Sequence, residues 1–139
     1  MKKVLKKQVL PGQRQTQQRA AVHKVISESD GPLTVNEIHA EVLKTPSRIG
    51  IATVYRTVKL LLESHMIRSV VLPSGETRYE SASLGHHHHF QCHECGKVFD
   101  IDHCPVSLPS GTVIPGGYVV RGHEITMSGT CPKCRKQKK

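Results

Sequence analysis

Apolar residues recur at helical spacing in three stretches of the N-terminal half, and each stretch predicts a helix. The first helix runs from Thr16, a suitable cap, to about Ser29, where Asp30-Gly31-Pro32 ends it. The second helix begins after Thr34, which has a glutamate three residues later and therefore the spacing of a capping box. The apolar positions of these two helices are Val22, Val25, Ile26, Val35, Ile38 and Val42.

The third helix begins at Ile51 and is followed by two short β-type runs. Its predicted buried stripe consists of Ile51, Val54, Val58, Leu61 and Leu62. The opposite face carries Thr53, Arg56 and Lys59, with Tyr55 at its edge, and is therefore basic. The two runs, 67–72 and 77–81, are joined by a Pro-Ser-Gly-Glu turn that suits a hairpin. Three helices followed by a hairpin predict a winged helix.

The C-terminal half predicts a small sheet and differs from the first half in composition. Strands are expected at Phe90–Cys92, Lys97–Ile101 and Tyr118–Thr126, whereas prolines and glycines argue against a long helix from 102 to 117. All five cysteines and seven of the ten histidines follow Leu84. We therefore place a boundary there, giving an α+β chain with one domain at 1–83 and another at 84–139.

The composition gives the chain an excess of positive charge. Its 139 residues include 20 Lys and Arg against 11 acids, a net charge of +9. This excess favours a polyanionic partner over an acidic small-molecule substrate. Residues 1–24 contain seven bases and no acid, which is typical either of a basic arm along phosphates or of a solvated tail.

No apolar stretch approaches the roughly 18 residues that a membrane span requires. The N-terminus has the charge of a signal peptide but not its apolar stretch. We therefore expect a cytoplasmic protein with no membrane partner. Because thiols stay reduced in that compartment, the cysteines are better explained as metal ligands than as a disulfide framework.

Two pairs of cysteines with CxxC spacing predict a structural zinc site. Four thiolates suit tetrahedral Zn(II), and two disulfides or a rubredoxin-like iron site are the alternatives. The pairs are 35 residues apart, so the metal would join the start of the subdomain to its C-terminus. The four ligands are Cys92, Cys95, Cys131 and Cys134.

A run of four histidines, residues 86–89, lies three residues before the first cysteine pair. A purification tag would stand at a terminus, whereas this run is in mid-chain. In an extended segment His86 and His88 face one side while His87 and His89 face the other, so two metal sites can share one strand. Further ligands are available from Glu80, Asp100, Asp102, His103, Cys104 and His123.

The order of these motifs resembles the ferric uptake regulator family. The resemblance rests on the segment from Arg48 to Thr57 (Arg-Ile-Gly-Ile-Ala-Thr-Val-Tyr-Arg-Thr), the histidine run, the Cys92-x2-Cys95-Gly-Lys-Val segment and the second CxxC pair, and it covers roughly residues 14–134. It implies a winged helix that binds double-stranded operator DNA and an α/β domain that forms a homodimer. A metal at the hinge would couple the two domains.

The resemblance also assigns residues to two regulatory metal sites. It places Glu80, His87 and His89 at the hinge site, in agreement with the alternation of the histidine run. Iron-type members have a further histidine where this chain has Pro32, so the fourth hinge ligand is missing, is water, or comes from elsewhere. His86, His88 and His123 fall in a second site, where an acid is expected near Ser107. Asp100, Asp102, His103 or Cys104 can fill that gap. Of these, Cys104 would tilt the site toward zinc, unless it is an inert buried thiol.

The same resemblance assigns base reading to Tyr55 and Arg56 and a minor-groove contact to Arg14. Arg56 lies near the N-terminal half of its helix, where an arginine can bridge guanine O6 and N7. Lys59 fits a phosphate contact. As alternatives, Tyr55 is an aromatic at the edge of the core and Lys59 is a solvated charge.

These features predict a metal-dependent repressor that controls iron or zinc uptake and is not an enzyme. Its regulatory metal would be Zn(II) or Fe(II), with Mn(II) or nickel less favoured. Pro32 argues against the assignment of iron, and Ala82, where zinc-type members have a cysteine, argues against the assignment of zinc. One alternative is a peroxide sensor of the same family, although such members have Asp where Glu80 stands. Another is a zinc hydrolase using His86, His88, His123 and Asp102. A metal-storage protein is a more distant alternative.

Overall fold

The computed structural model describes residues 11–137, with side chains from residue 15 onward. It consists of three helices and a hairpin, then a second sheet, a short separate hairpin and a C-terminal helix. The helices are α1 (Pro11–Ser27), α2 (Val35–Leu43), α3 (Ile51–Glu63) and α4 (Pro132–Gln137). The strands are β1 (Ile67–Val71), β2 (Thr77–Ser81), β3 (His88–Cys92), β4 (Val98–Ile101), β5 (Val113–Ile114), β6 (Tyr118–Val119) and β7 (Thr126–Gly129).

The first two helices follow the predicted pattern, with different bounds for α1. The capping box is confirmed: the Thr34 hydroxyl accepts from the Glu37 amide, and the Glu37 carboxylate accepts from the Thr34 amide, both at 3.2 Å. The predicted start of α1 at Thr16 is wrong, because the helix already begins at Pro11, a residue suited to a first turn. Its end at Ser27 precedes the predicted one by two residues.

The buried stripe of α3 differs from the predicted one at three positions, one of which is Leu62, only partly buried against the core. Val54, Val58 and Leu61 are buried as predicted, but Thr57 is buried as well. Ile51 is 36% exposed, because it lies in the first turn at the end of the stripe. The three helices enclose one apolar core, whose buried members include Val22, Ile26, Ile38, Val42, Val54, Val58 and Leu61.

The antiparallel hairpin β1–β2 packs against α1 and α3. Gly75, in the turn between its strands, has a φ of 88°, a conformation that favours glycine. Leu33, just before α2, exchanges two backbone hydrogen bonds with Tyr79 of β2, at 3.0 and 2.8 Å. The hairpin and helices therefore form one unit, with the element order expected of a winged helix.

The second sheet has the strand order β4-β3-β7, with β3 antiparallel to β4 and parallel to β7. The predicted strand Tyr118–Thr126 is wrong, since its two ends pair with different partners: β6 pairs with β5, and β7 pairs with β3. β3 begins at His88 instead of Phe90, and β4 begins at Val98 instead of Lys97. Residues 102–117, all of which are described, contain no helix.

Among the residues that the structure describes, no helix is long and apolar enough to cross a membrane.

Candidate metal centres

Three groups of four side chains each place their possible ligand atoms within 4.8 Å of one another. We call them the cysteine cluster (Cys92, Cys95, Cys131, Cys134), the hinge cluster (Glu80, His87, His89, Asp100) and the second cluster (His86, His88, Cys104, His123). Each cluster joins residues that are distant in sequence.

The parallel pairing of β3 with β7 assembles the cysteine cluster. It aligns Cys92 at the end of β3 with Gly129, two residues before Cys131. The Cys131 amide donates to the Cys92 sulfur at 3.3 Å, and the sulfurs of Cys95 and Cys131 are 4.0 Å apart. Four sulfurs bound to one zinc at 2.3 Å would be about 3.8 Å apart. The cluster therefore fits a tetrahedral zinc site.

The cysteine thiols differ in their affinity for protons. Backbone amide hydrogen bonds, first that of Cys95, lower the pKa of Cys92 to about 6, although burial raises it. A hydrogen bond with the Cys131 sulfur raises the pKa of Cys134 to about 12. A divalent cation bound by the cluster would displace the proton of the Cys134 thiol.

The hinge cluster brings two carboxylates to two imidazoles. Glu80 Oε2 lies 2.9 Å from His87 Nε2 and 3.1 Å from His89 Nε2. Asp100 Oδ1 lies 3.5 and 3.6 Å from the same two nitrogens. Ligand atoms around one metal at about 2.1 Å would be about 3.4 Å apart in a tetrahedron. The hinge cluster therefore has the dimensions of a four-coordinate site.

Two further features of the hinge cluster fit a cation. Asp100 Oδ1 is buried and has no hydrogen-bond partner in the described part of the chain, which is costly for a polar atom unless something else binds it. The Gly85 carbonyl lies 2.7 Å from His87 Nδ1, so that nitrogen donates and Nε2 is left to face the carboxylates. The two Nε2 atoms and the facing carboxylate oxygens thus converge on the centre of the cluster, where a bound cation would displace the protons that join the imidazoles to Glu80.

The two carboxylates of the hinge cluster have opposite pKa shifts. Burial raises the pKa of Glu80, but hydrogen bonds from His89, Arg68 and His87 outweigh it and leave a value of about 2. The Arg68 Nε donates to Glu80 Oε1 at 2.8 Å, so this arginine holds one oxygen while the other faces the imidazoles. Burial also raises the pKa of Asp100. Glu80 is therefore the permanent anion of the hinge cluster.

The second cluster contains three imidazoles and one thiol. Cys104 Sγ lies 3.3 Å from His88 Nε2 and 3.1 Å from His123 Nε2. The His86 ring stacks edge-on against both other rings, with centroids 4.6 and 4.8 Å away. Burial lowers the pKa of His88, and the Ile125 amide donates to its Nδ1 at 3.2 Å. The soft thiol distinguishes this donor set from that of the hinge cluster.

Three of the four residues expected to contact DNA lie on an exposed face of α3. Tyr55 is 56% exposed, and Arg56 and Lys59 are exposed as well. The Arg56 guanidinium donates to the Thr53 hydroxyl at 3.1 Å, one turn earlier on the helix. Arg14 belongs to α1, but its side chain lies outside the described residues, as does the arm at 1–10.

The structure separates the histidine run as the alternation predicts, with His87 and His89 in one cluster and His86 and His88 in the other. Cys104 joins the second cluster, whereas Asp102 and His103 join none of the three. Sequence reasoning missed the place of Asp100 in the hinge cluster. The signal was its register opposite His89 in the β3–β4 pair, which no local pattern reveals.

Comparison with known proteins identifies the family. The model of the ferric uptake regulator family matches residues 11–128. The chain belongs to this family. A ferric uptake regulation protein of Campylobacter jejuni is 32% identical over 130 residues, which are 91% of this chain and 83% of the relative. A zinc uptake regulation protein of Mycobacterium tuberculosis is 32% identical over 125 residues, 89% of this chain and 96% of the relative.

Solved structures of the family share the fold. A zinc-bound manganese uptake regulator superimposes with a TM-score of 0.72 at 28% identity, covering 86% of this chain and 92% of that one. The ferric uptake regulator family member described here is thus a metal-responsive transcriptional regulator and not an enzyme, so the zinc-hydrolase alternative is wrong. Family members bind DNA, and their metals are zinc, iron or manganese.

Proposed function

We propose that the protein is a homodimeric, cytoplasmic repressor that binds a palindromic operator when its hinge cluster holds a metal, and so controls iron or zinc uptake. The names of the iron and zinc uptake regulators to which it is similar support this role. The hinge cluster is the observation that carries the proposal, because it joins the hairpin to the second sheet.

In this proposal the two halves of the chain have different functions. Residues 1–83 read DNA through Arg14, Tyr55, Arg56 and Lys59, and residues 84–139 bind the metals and form the dimer. Glu80 stands on β2 of the first half, whereas His87, His89 and Asp100 belong to the second. A metal held by all four favours the arrangement in which the halves are close, and linkage then favours the DNA complex of that arrangement.

Each cluster has its own metal in the proposal. Four thiolates of the cysteine cluster hold a structural zinc that makes the small C-terminal unit stable. The hinge cluster is the sensing site, and its two carboxylates and two imidazoles suit Fe(II), Zn(II) and Mn(II) alike. Asp100 supplies the fourth ligand of the hinge cluster, which Pro32 cannot provide. The second cluster includes a thiol and therefore favours Zn(II) over the harder ions.

The proposal is tested by selecting a DNA duplex from a random-sequence library with the zinc-loaded protein. Binding of the selected duplex is then titrated against Zn(II), Fe(II) and Mn(II) separately. We expect one symmetric site for two chains and a tighter complex with at least one of the three metals. A duplex that is bound with the same affinity with and without every metal would contradict metal-dependent repression.

A further inference from the structure

The DNA-reading half and the metal-binding half also touch directly, outside the three metal clusters. Of the residues at this contact, only Asp100 also belongs to a cluster. The turn between α1 and α2 lies against β4, the edge strand of the second sheet. The Asp100 amide points away from β3 and donates to the Asp30 carbonyl at 2.8 Å. We call this backbone contact, together with Gly31, the docking contact.

Gly31 shows how close the two backbones are at the docking contact. A Cβ added there would overlap the carbonyl oxygen of Val98 and lie 2.9 Å from the Phe99 Cα. Both atoms belong to the backbone and cannot rotate away. Gly31 is not among the glycines with positive φ, so its own conformation tolerates a side chain. Glycine is therefore required at this position by the neighbouring half of the molecule and not by the turn.

A buried arginine reinforces the contact beside the turn. Arg78 of β2 is only 4% exposed, and its guanidinium donates to Glu37 at the start of α2 and to Glu76 in the hairpin. It also donates to the Pro32 carbonyl and, through Nη2, to the Gly96 carbonyl, both at 3.2 Å. Gly96 directly follows the first cysteine pair. One side chain thus connects α2, the hairpin and the loop beside the cysteine cluster.

We propose that the docking contact and Arg78 position the DNA-reading helices against the metal-binding half, and that Asp100 transmits hinge occupancy to them. Its carboxylate belongs to the hinge cluster, and its amide holds the turn that leads into α2. The contact needs no ligand from the turn, which explains how Pro32 can stand where iron-type members are expected to have a histidine. Arg78 is a positioning residue, because it acts through the elements that it joins.

This inference rests on the proposed function, and the variant that tests it is Gly31→Ala. The added methyl group must separate the turn from β4 while leaving each half intact. Gly122→Ala is the matched control, since a Cβ there meets nothing within 4 Å and φ is not positive. Both variants are first checked for zinc content and thermal unfolding against the wild-type protein.

Two measurements then follow on the full chain, the first with Zn(II) bound and the second as Zn(II) is added to protein that holds only its structural zinc. We expect Gly31→Ala to accelerate hydrogen exchange of the Asp100 amide, because β4 is an edge strand and Asp30 is the only partner of this amide among the described residues. We also expect the gain in affinity for the selected duplex on Zn(II) addition to fall at least about tenfold, within the usual range of coupling between sites. Gly122→Ala should keep the wild-type exchange rate and the wild-type gain.

Arg78→Lys provides the second variant. It keeps a positive charge beside Glu37 and Glu76 but replaces the planar fork that reaches the Pro32 and Gly96 carbonyls. We expect a folded protein with a smaller metal-dependent gain than wild type, and a normal zinc content. Arg78→Leu should lose more, because two carboxylates then lack their partner.

The outcomes separate this inference from the proposed function. If the affinity of the wild-type protein for the duplex does not respond to metal, the proposed function fails, and the Asp100 exchange rate still decides whether the docking contact exists. If the wild-type protein responds and Gly31→Ala retains both the slow exchange and the full gain, the inference is overturned. Equal losses in Gly31→Ala and Gly122→Ala would overturn it as well.

Discussion

The direction of each side chain along the histidine run determines which metal cluster it joins. Successive residues of an extended chain point to opposite sides, and this separates His87 and His89 from His86 and His88. Arg68 adds a second level of control, because it holds Glu80 Oε1 and leaves Oε2 for the imidazoles. At the residue scale, the two clusters thus adjoin along one extended segment and have different donor sets.

Replacing His89 or His86 by alanine should have different effects. His89→Ala removes a ligand of the hinge cluster, so we expect a folded, zinc-containing dimer that no longer gains affinity for DNA on metal addition. His86→Ala affects the second cluster and should lower dimer stability or change the metal response modestly. Metal binding by calorimetry and duplex binding by anisotropy measure both. The same defect in both variants would contradict the division of the run.

Cys104→Ser tests whether the thiol sets the metal preference of the second cluster. A serine hydroxyl is a harder ligand than a thiolate, so the preference for Zn(II) over Fe(II) and Mn(II) at this site should decrease. Competition between the three metals for the variant and the wild-type protein provides the measurement. If the order and spacing of the three affinities are unchanged, Cys104 is not a ligand.

At the scale of the elements, α3 combines a packed apolar stripe with an exposed basic face. Its buried stripe, Val54, Thr57, Val58 and Leu61, contacts the core, so the exposed face with Arg56 and Lys59 has a fixed orientation. The capping box at the start of α2 has a similar double use, because Glu37 also binds Arg78. Local stabilising devices and long-range contacts therefore share the same side chains.

Arg56→Ala should reduce discrimination between the selected duplex and random DNA by about 1 to 3 kcal/mol, since it removes a contact to base edges. Lys59→Ala is the contrast, because loss of a phosphate contact weakens binding to both DNAs about equally. Competition binding at several salt concentrations gives both quantities. A wild-type ratio of specific to non-specific affinity in Arg56→Ala would show that this arginine does not read bases.

At the scale of the whole molecule, the cysteine cluster connects β3, the segment after β7 and α4. The second sheet has three short strands of four or five residues, and its apolar interior is small. Such a unit depends on a metal for much of its stability. The exposed apolar residues of the β5–β6 hairpin lie in the same half.

Cys92→Ser should therefore act on the whole C-terminal half. An incomplete tetrahedral site should lose about one zinc per chain, and with it the dimer. Elemental analysis and sedimentation measure the two losses, and removal of zinc from the wild-type protein with a strong chelator should reproduce them. A Cys92→Ser dimer with full zinc content would refute the structural role. The N-terminal helices, which have their own core, should remain helical in circular dichroism.

The sequence by itself determined the three helices, the capping box, the hairpin, the four cysteines of one cluster and the alternation of the histidine run. These features depend on periodicity, turn chemistry and ligand spacing within short stretches. The motifs also indicated the family, which the comparisons confirm.

Only the tertiary structure decided the features that depend on strand pairing between distant segments. The β3–β4 register places Asp100 beside the hinge histidines, and the separate partners of β6 and β7 divide the stretch 118–126, which the sequence predicts as one strand. The need for glycine at position 31 also arises from a neighbour about 70 residues away in sequence. Local periodicity does not specify the register of a strand or its pairing partner, because many pairings satisfy the same alternation of side chains.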